Sequence, residues 1–315
     1  CFADEDTRRL ARLAIAVPSL AAEAVLPVLE RIVQHYDVAY WVYGSGFEQC
    51  PDTLVEMARL CVVLGNSPEI FQCFQDKVGF FETLRELEIP HPETVFEPPV
   101  TTGPWLQKPY CGEGGTEIVY LHAETVRCNE VYWQRWLSGD AGSLTFLAHG
   151  RGFEILGFNH QWTCLQDNEH PFVFAGIVNH ARFEGRHVNE LRYALRRLVS
   201  EYRLRGLGSL DFIISDGRCH ILELNARIPA SAQLYGRHVF DWHVDAVLGR
   251  EQLRCRSRCR PRGYQVVFAT RNLTIPAEVD WPEWVVDVPS AGVIIDQGQP
   301  ICSIMAGGKN AGQVR

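Results

Sequence analysis

Residues 211–227, DFIISDGRCHILELNAR, are the stretch that decides the fold of this chain. Two apolar runs, Ser209–Ser215 and His220–Leu224, have the length and composition of β-strands. Asp216-Gly217 between them is a dipeptide typical of a two-residue hairpin turn. The sequence therefore predicts a β-hairpin whose second strand ends in Glu-Leu-Asn-Ala-Arg.

Polar side chains on this hairpin form an oxygen-rich set. Because side chains alternate along a strand, Glu223 and Asn225 share one face and Arg227 continues it. Asp211 can face Glu223 across the hairpin. Two carboxylates and an amide oxygen are hard ligands that suit magnesium bound to phosphates. A solvated hairpin with polar residues turned outward explains the alternation too, but not the Asn-x-Arg ending.

The strand pair resembles the magnesium-binding hairpin of the ATP-grasp superfamily, which includes biotin carboxylase. That superfamily usually has Asn-Pro-Arg where this chain has Asn225-Ala226-Arg227, and the liganding residue types are retained. Gly44–Glu48 and Leu64–Asn66 further resemble a stand-alone, carboligase-like branch. This branch is related to biotin carboxylase and to the ATP-grasp domains of the carbamoyl-phosphate synthase large subunit.

The resemblance implies a set of residues that binds the phosphates of ATP. Lys77 matches the superfamily's first lysine, at the start of a helix, and Lys108 matches the lysine on a strand before a glycine-rich loop. Gly112, Gly114 and Gly115 form that loop. Lysine charge offsets phosphate charge, and glycines let backbone N–H groups approach phosphate oxygens. Taken alone, the glycines favour a plain β-turn over a phosphate-binding loop, and no GxxxxGK[ST] motif occurs.

The resemblance also implies an adenosine site. Gln134 corresponds to the residue near the adenine amine, and the backbone of Arg135, Trp136 and Leu137 corresponds to the segment that contacts the base edge. Asp140 is a candidate ribose ligand.

The implied chemistry is that of an ADP-forming ligase. ATP with Mg²⁺ (or Mn²⁺) on Asp211, Glu223 and Asn225 activates a carboxylate as an acylphosphate, which an amine then attacks. Arg227 and Lys108 are the expected catalytic residues. The branch suggests glutamate ligation in one-carbon coenzyme biosynthesis. The alternatives are a carboxylase-like enzyme, a phosphotransferase and a nucleotide-binding protein without catalysis.

The usual layout of such enzymes also implies residues for the acceptor pocket. Arg151, Gln161 and Ser231 are candidates to line the acceptor pocket. The expected partners are a small carboxylate and a small amine, with a homodimer as an open alternative to a monomer.

The predicted fold is α+β or α/β, an ATP-grasp fold in three parts. Residues 1–70 form a small parallel α/β unit, which lacks or replaces the first strand usual in the branch. Residues 71–250 form the ATP-grasp domain, with a small subdomain at 71–103, an antiparallel sheet at 104–178 and then the hairpin. Residues 251–315 form a β-rich cap.

Two long helices are predicted around these parts. Apolar spacing favours one helix over Pro68–Leu87 and another over Ala230–Leu248.

Composition excludes several classes of protein. Hydrophobic residues make up 46% and charged residues 22% of the chain, which are ordinary globular values. A net charge of −8 argues against broad nucleic-acid binding, which needs a basic face. No apolar run has the length needed to cross a bilayer. The 11 scattered cysteines favour reduced thiols, so we expect a cytoplasmic protein.

Overall fold

The computed structural model describes residues 4–100, 102–121, 130–164, 170–250 and 259–314. The amino-terminal unit comprises α1 (Glu5–Leu10), α2 (Ala22–His35), β1 (Tyr40–Trp41), α3 (Pro51–Leu60) and β2 (Val62–Val63). β1 and β2 pair in parallel on either side of α3, which confirms the predicted small parallel α/β unit. α3 begins with proline, which suits the first helical position because no N–H is needed there.

Two helices occupy the stretch where one was predicted. They are α4 (Pro68–Gln75) and α5 (Lys77–Glu86). Ser67 caps the first helix, and the side chain of Asp76 caps the second by accepting the N–H of Gly79 at 3.1 Å. A capping side chain satisfies an N–H that has no partner inside the helix. The new start at Asp76 places Lys77 in the first turn of α5.

The strands between residues 104 and 178 belong to two sheets, whereas the sequence pattern predicted one. The small antiparallel sheet has the order β3-β6-β4-β5. Its strands are β3 (Thr94–Val95), β4 (Trp105–Pro109), β5 (Val119–Tyr120) and β6 (Val131–Arg135). Gly139 follows this sheet, and a Cβ there would lie 2.0 Å from the carbonyl oxygen of Ile214. Glycine at this position therefore lets the chain cross to the second sheet.

The large sheet is antiparallel, with eight strands in the order β11-β10-β7-β8-β9-β12-β16-β14. Its strands and the helices near it are β7 (Asp140–His149), β8 (Gly152–Cys164), β9 (Val173–Val178), α6 (Gly185–Glu201), β10 (Gly206–Ser215), β11 (Arg218–Asn225), a 3-10 helix (Ala230–Tyr235), α7 (His238–Val247), β12 (Arg262–Phe268), β13 (Leu273–Thr274), β14 (Val285–Val286), β15 (Ile294–Ile295), β16 (Pro300–Gly307) and α8 (Ala311–Val314). The single helix predicted over Ala230–Leu248 is interrupted at Gly236, where φ is +92°.

One hydrophobic core joins the helices to the large sheet. α6 buries Leu191 and Leu195 against Phe146 and Phe212 of the sheet, and the same core includes Phe81 of α5. Burial of such large apolar side chains stabilises the fold by about 1.5–3 kcal/mol each. The shared core holds the start of α5 beside the β10–β11 hairpin.

The predicted C-terminal β-rich segment is present, and β12, β16 and β14 continue the large sheet beyond β9. The boundary at residue 250 remains a prediction, because residues 251–258 lie outside the described part of the chain. Within the described residues, no helix combines the length and apolar character needed to span a membrane.

Candidate active site

The β10–β11 hairpin carries a β-bulge that sets its polar face. Asp211 pairs directly with Glu223, but Phe212 pairs with Ile221, so Leu222 is an extra residue on the second strand. A regular register from the two-residue turn would have paired Asp211 with Leu222. Glu223 would then have pointed to the opposite face. The bulge is therefore what brings the two carboxylates together.

The hairpin offers hard oxygen donors in a suitable arrangement for a divalent cation. The Asn225 amide donates to Asp211 Oδ2 at 3.4 Å, and the Gln161 amide approaches Asp211 Oδ1 at 3.5 Å. The Glu223 side chain keeps 45% of its surface exposed, which leaves its carboxylate open to a ligand. The described residues contain no group of three or more His, Cys, Asp and Glu that could hold a metal. Two carboxylates and an amide instead fit Mg²⁺ that completes its coordination with phosphates.

Two of the three lysines in the chain lie at this hairpin. Lys77, in the first turn of α5, donates to Glu223 Oε1 at 2.8 Å. Lys108, on β4, donates to Gln134 Oε1 at 2.6 Å, and the Gln134 amide donates in turn to Thr94 at 3.1 Å. α5 and the small sheet thus place two cations beside the carboxylates of the large sheet.

Burial and mutual charge shift the pKa values of these groups. Burial, reinforced by the charge of Glu223, raises the pKa of Asp211 to about 7. Burial, reinforced by Lys77, lowers the pKa of Lys108 to about 8. Burial also disfavours the charged form of Glu223, but Lys77 and Arg227 outweigh it and lower the pKa of that carboxyl. The shifts mean that the charged forms of Asp211 and Lys108 are only partly compensated by neighbouring charges. A metal cation would stabilise the Asp211 carboxylate, and a polyphosphate would stabilise the Lys108 ammonium.

The glycine-rich loop packs against the large sheet. Gly114 and Gly115 have φ values of +62° and +72°, which favour glycine. The Gly114 carbonyl accepts the N–H of Phe174 at 2.8 Å. A Cβ at Gly115 would lie 2.2 Å from the carbonyl oxygen of Phe172. Gly112 is exposed at the start of the loop, so backbone N–H groups are accessible there.

The proposed adenine segment is partly occupied by contacts within the protein. The N–H of Arg135 donates to the Glu93 carbonyl at 2.7 Å, and the N–H of Trp136 donates to the Pro104 carbonyl at 3.1 Å. Leu137 N–H makes no hydrogen bond with the described residues. Of the three predicted N–H groups, Leu137 is therefore the one left to meet a base.

The family profile of the ATP-grasp domain matches residues 74–231, which is half of the chain. The chain belongs to the ATP-grasp family. The matched segment begins just before Lys77 and ends just after Arg227, so it includes every residue of the site described above.

Solved structures share this ATP-grasp fold at low sequence identity. The chain is similar to carboxyaminoimidazole ribonucleotide synthase of Aspergillus clavatus complexed with ATP, with a TM-score of 0.72, 13% identity and coverage of 98% of this chain and 86% of that chain. It is also similar to the biotin carboxylase domain of Hydrogenobacter thermophilus 2-oxoglutarate carboxylase, complexed with MgADP, ADP and bicarbonate, with a TM-score of 0.71, 11% identity and coverage of 92% and 74%.

A third similar structure is Rhizobium etli pyruvate carboxylase, with a TM-score of 0.70 and 12% identity. The match covers 92% of this chain but only 29% of that longer chain. No curated protein matches the sequence. These similarities show the ATP-grasp fold.

Three further predicted residues lie on β7, in the turn after it and on the 3-10 helix. Asp140 is exposed at the start of β7, where it pairs with Ile214 near the tip of the hairpin. Arg151 is exposed in the turn between β7 and β8. Ser231 is buried, and its hydroxyl lies 2.8 Å from that of Thr145. A ribose or acceptor role for these residues remains a prediction.

Two residues of the amino-terminal unit, for which the sequence pattern predicts no role, hold the end of the hairpin. The Glu48 carboxylate accepts from Arg227 Nε at 2.6 Å. The Asn66 amide donates to the Ala226 carbonyl at 2.8 Å and accepts the Arg205 N–H at 2.8 Å. A sequence feature that could have identified Glu48 and Asn66 is their position. Each comes directly after a turn that follows a predicted strand, Gly44–Phe47 for Glu48 and Leu64-Gly65 for Asn66.

Proposed function

We propose that this ATP-grasp chain is an ATP- and magnesium-dependent ligase that activates a carboxylate as an acylphosphate for attack by an amine. The observation that carries the proposal is the convergence of Lys77 and Lys108 on the Asp211–Glu223 pair. Cations for a polyphosphate thus lie beside oxygen donors for its metal. ATP and MgADP in two similar structures support a nucleotide in this cleft.

Each side chain has a defined task in this proposal. Lys108 and Lys77 neutralise phosphate oxygens, and the loop 112–115 offers backbone N–H groups to them. Asp211, Glu223 and Asn225 would hold magnesium, which when bound offsets the charge of the β- and γ-phosphates. Arg227 binds the transferring phosphoryl group through its planar guanidinium, because Glu48 occupies only its Nε edge.

No covalent enzyme intermediate is needed. A carboxylate oxygen of the substrate forms a bond to the γ-phosphorus as the bond to ADP breaks. The amine nitrogen then attacks the acyl carbon, phosphate leaves and the amine loses a proton. The residues of the site therefore act by positioning and by electrostatic stabilisation.

The test is ADP release by the full chain with Mg²⁺ and panels of candidate acids and amines, among them glutamate. Lys108→Ala and Glu223→Ala should both abolish turnover. Lys309→Ala and Glu154→Ala, which remove exposed groups away from the site, should leave it unchanged. Turnover retained in both site variants would contradict the proposal.

Bicarbonate forms a second arm of this test, since the 2-oxoglutarate carboxylase domain was solved with that anion. ADP release that depends on bicarbonate would favour a carboxylase-like enzyme. A stable phosphorylated product would favour a phosphotransferase. Nucleotide binding without turnover on any acceptor would favour a non-catalytic protein.

A further inference from the structure

The glycine-rich loop is joined to the amino-terminal unit by a pair of carboxylates. The N–H of Gly46 donates to Glu48 Oε2 at 2.7 Å and also to Glu113 of the glycine-rich loop. The carboxylates of Glu48 and Glu113 therefore lie side by side, since an oxygen of each accepts the same N–H. Glu48 also accepts from Arg227 at 2.6 Å. One small cluster thus connects the loop, the amino-terminal unit and the end of β11.

The amino-terminal side of this cluster is held firmly. Gly46 has a φ of +105°, and a Cβ there would lie 2.6 Å from Leu20. Tyr43 and Phe47, on either side of it, are buried in the core of the amino-terminal unit. Glu48 itself is buried as well. The direction of the Gly46 N–H is therefore set by packing, and it offers a fixed docking point for Glu113.

We propose that Glu48 and Glu113 are positioning residues that dock the glycine-rich loop on the amino-terminal unit and orient Arg227, with docking controlled by one proton on Glu113. The inference rests on the proposed function in one respect, that the loop binds the phosphates of ATP.

The proton follows from the geometry. Two carboxylates whose oxygens both accept the Gly46 N–H repel each other when both are charged, so close approach favours a proton on one of them. Burial, together with the hydrogen bond and charge of Glu48, raises the pKa of Glu113 to about 7. Burial opposes ionisation of Glu48, but Glu113 and Arg227 outweigh it and lower the pKa of that carboxyl. Glu113 is therefore the partner that holds the proton.

The charged groups that act on Glu113 are Glu48 and Arg227. A neighbouring titratable group on the loop is the thiol of Cys111, which interacts electrostatically with the charges of Lys77, Glu130 and Glu48. A single guanidinium therefore faces two carboxylates when Glu113 ionises.

The sign of the pH effect follows. The pKa of Glu113 in the folded chain lies above its ordinary value, so the docked form binds the proton more tightly. The contribution of this proton to docking is therefore fully present below about pH 4.5, falls as the pH rises, and is lost once the pH has passed about 7. Above that pH, two negative carboxylates compete for one N–H and one guanidinium.

Hydrogen–deuterium exchange of the segment 44–48 tests this without any nucleotide. In the full chain, protection of the Gly46 amide, corrected for intrinsic exchange, should fall by up to about tenfold per pH unit between about pH 4.5 and 7 and level off above that, because the undocked carboxyl ionises near its ordinary value and the docked one near 7. Glu113→Gln should keep its protection across the same range, because a neutral amide can donate to Glu48 and accept from Gly46. Glu113→Ala should show lower protection that does not change with pH in this way, because only Glu48 still accepts the Gly46 N–H. Glu117→Gln, an exposed neighbour, should behave as the wild type.

A second readout is the affinity for a non-hydrolysable ATP analogue with Mg²⁺ between pH 5 and 8. Asp211 and Lys108 titrate in both proteins, so the comparison is the ratio of the two affinities: the wild type should weaken relative to Glu113→Gln as the pH rises to about 7. If Glu113→Gln shows the wild-type pH profile in both measurements, or if Glu113→Ala keeps full protection, the inference is overturned. If the analogue does not bind the wild type at all, the proposed function fails, and the exchange experiment still decides the docking.

Discussion

Lys77 is held in place by one partner of opposite charge and by burial in the first turn of α5. Its ammonium lies 2.8 Å from Glu223, and its own side chain is almost fully buried. A charge-assisted hydrogen bond of this kind contributes about 1.5–3 kcal/mol. Since Glu223 is also a proposed metal ligand, Lys77 links phosphate binding to metal binding at a single residue.

Lys77→Met, which keeps most of the side-chain volume but removes the charge, should weaken binding of a Mg–ATP analogue by about 10- to 100-fold, the equivalent of that hydrogen bond. Isothermal titration calorimetry measures this change in affinity. Lys309→Met changes the exposed lysine of the C-terminal tail and should bind as the wild type. Unaltered affinity in Lys77→Met would remove Lys77 from the phosphate site.

Asn66 is a single residue that holds the backbone at the end of the hairpin. Its amide bonds both the Ala226 carbonyl and the Arg205 N–H, and its own carbonyl accepts the Tyr43 hydroxyl at 2.9 Å. It therefore holds the peptide between Arg227 and Asn225, a proposed metal ligand.

Asn66→Ala should lower the free energy of unfolding by about 2–4 kcal/mol, because two buried polar groups lose their partners. Urea unfolding followed by circular dichroism measures this. Asn189→Ala, on the exposed face of α6, is the matched control and should change stability by less than about 0.5 kcal/mol. Equal stability of the two variants would show that Asn66 does not hold the hairpin end.

At the scale of elements, the glycine-rich loop has two glycines with different requirements. Both have positive φ, but a Cβ at Gly114 meets open space, whereas a Cβ at Gly115 would overlap the Phe172 carbonyl. The backbone conformation alone costs a non-glycine residue about 1–2 kcal/mol. Only Gly115 adds a steric overlap that would push the loop away from the start of β9.

Gly115→Ala should therefore destabilise the chain more than Gly114→Ala. We expect Gly114→Ala to lose about 1 kcal/mol and Gly115→Ala at least twice that, because its overlap needs a backbone shift. The midpoint of urea unfolding without nucleotide compares the two. A larger loss in Gly114→Ala would show that the loop does not pack on β9 as described.

The hairpin shows what sequence patterns predict well at this scale. Asp216 and Gly217 both adopt positive φ, +48° and +73°, as the two-residue turn requires. The bulge at Leu222 was not predicted. In the sequence, the bulge corresponds to a shift in the alternation of buried residues. Cys219 and Ile221 are buried at odd-numbered positions, whereas Leu224 and Ala226 are buried at even-numbered ones.

For the whole molecule, the decisive feature is that the candidate site takes its residues from two sheets. Lys108 and Leu137 belong to the small sheet and the segment after it, whereas Asp211 and Glu223 belong to the large sheet. A ligand that bridges these groups couples parts of the chain that are far apart in sequence.

Mg–ATP analogue at 100 times its dissociation constant should therefore stabilise the whole chain by about 2.7 kcal/mol. We expect the melting temperature to rise by roughly 5 °C and exchange to slow in the loop 112–115, around Leu137 and in β11 together. Glu223→Ala should lose the shift. Protection confined to one sheet would contradict a cleft that uses both.

Local patterns in the sequence predict the hairpin and its turn from residue type and spacing, because strands and tight turns depend on neighbours only a few residues away. The two lysines and the glycine-rich loop were identified through the resemblance to the ATP-grasp superfamily. The family match over residues 74–231 confirmed the ATP-grasp membership that these motifs indicated.

Only the tertiary structure decided which groups meet. Glu48 and Arg227 are 179 positions apart, and Lys77 and Glu223 are 146 apart, so no local pattern relates them. The division of the strands into two sheets and the bulge at Leu222 depend likewise on which apolar side chains the shared core accepts. Long-range packing sets these features, because the free energy that favours them comes from burial across the whole chain.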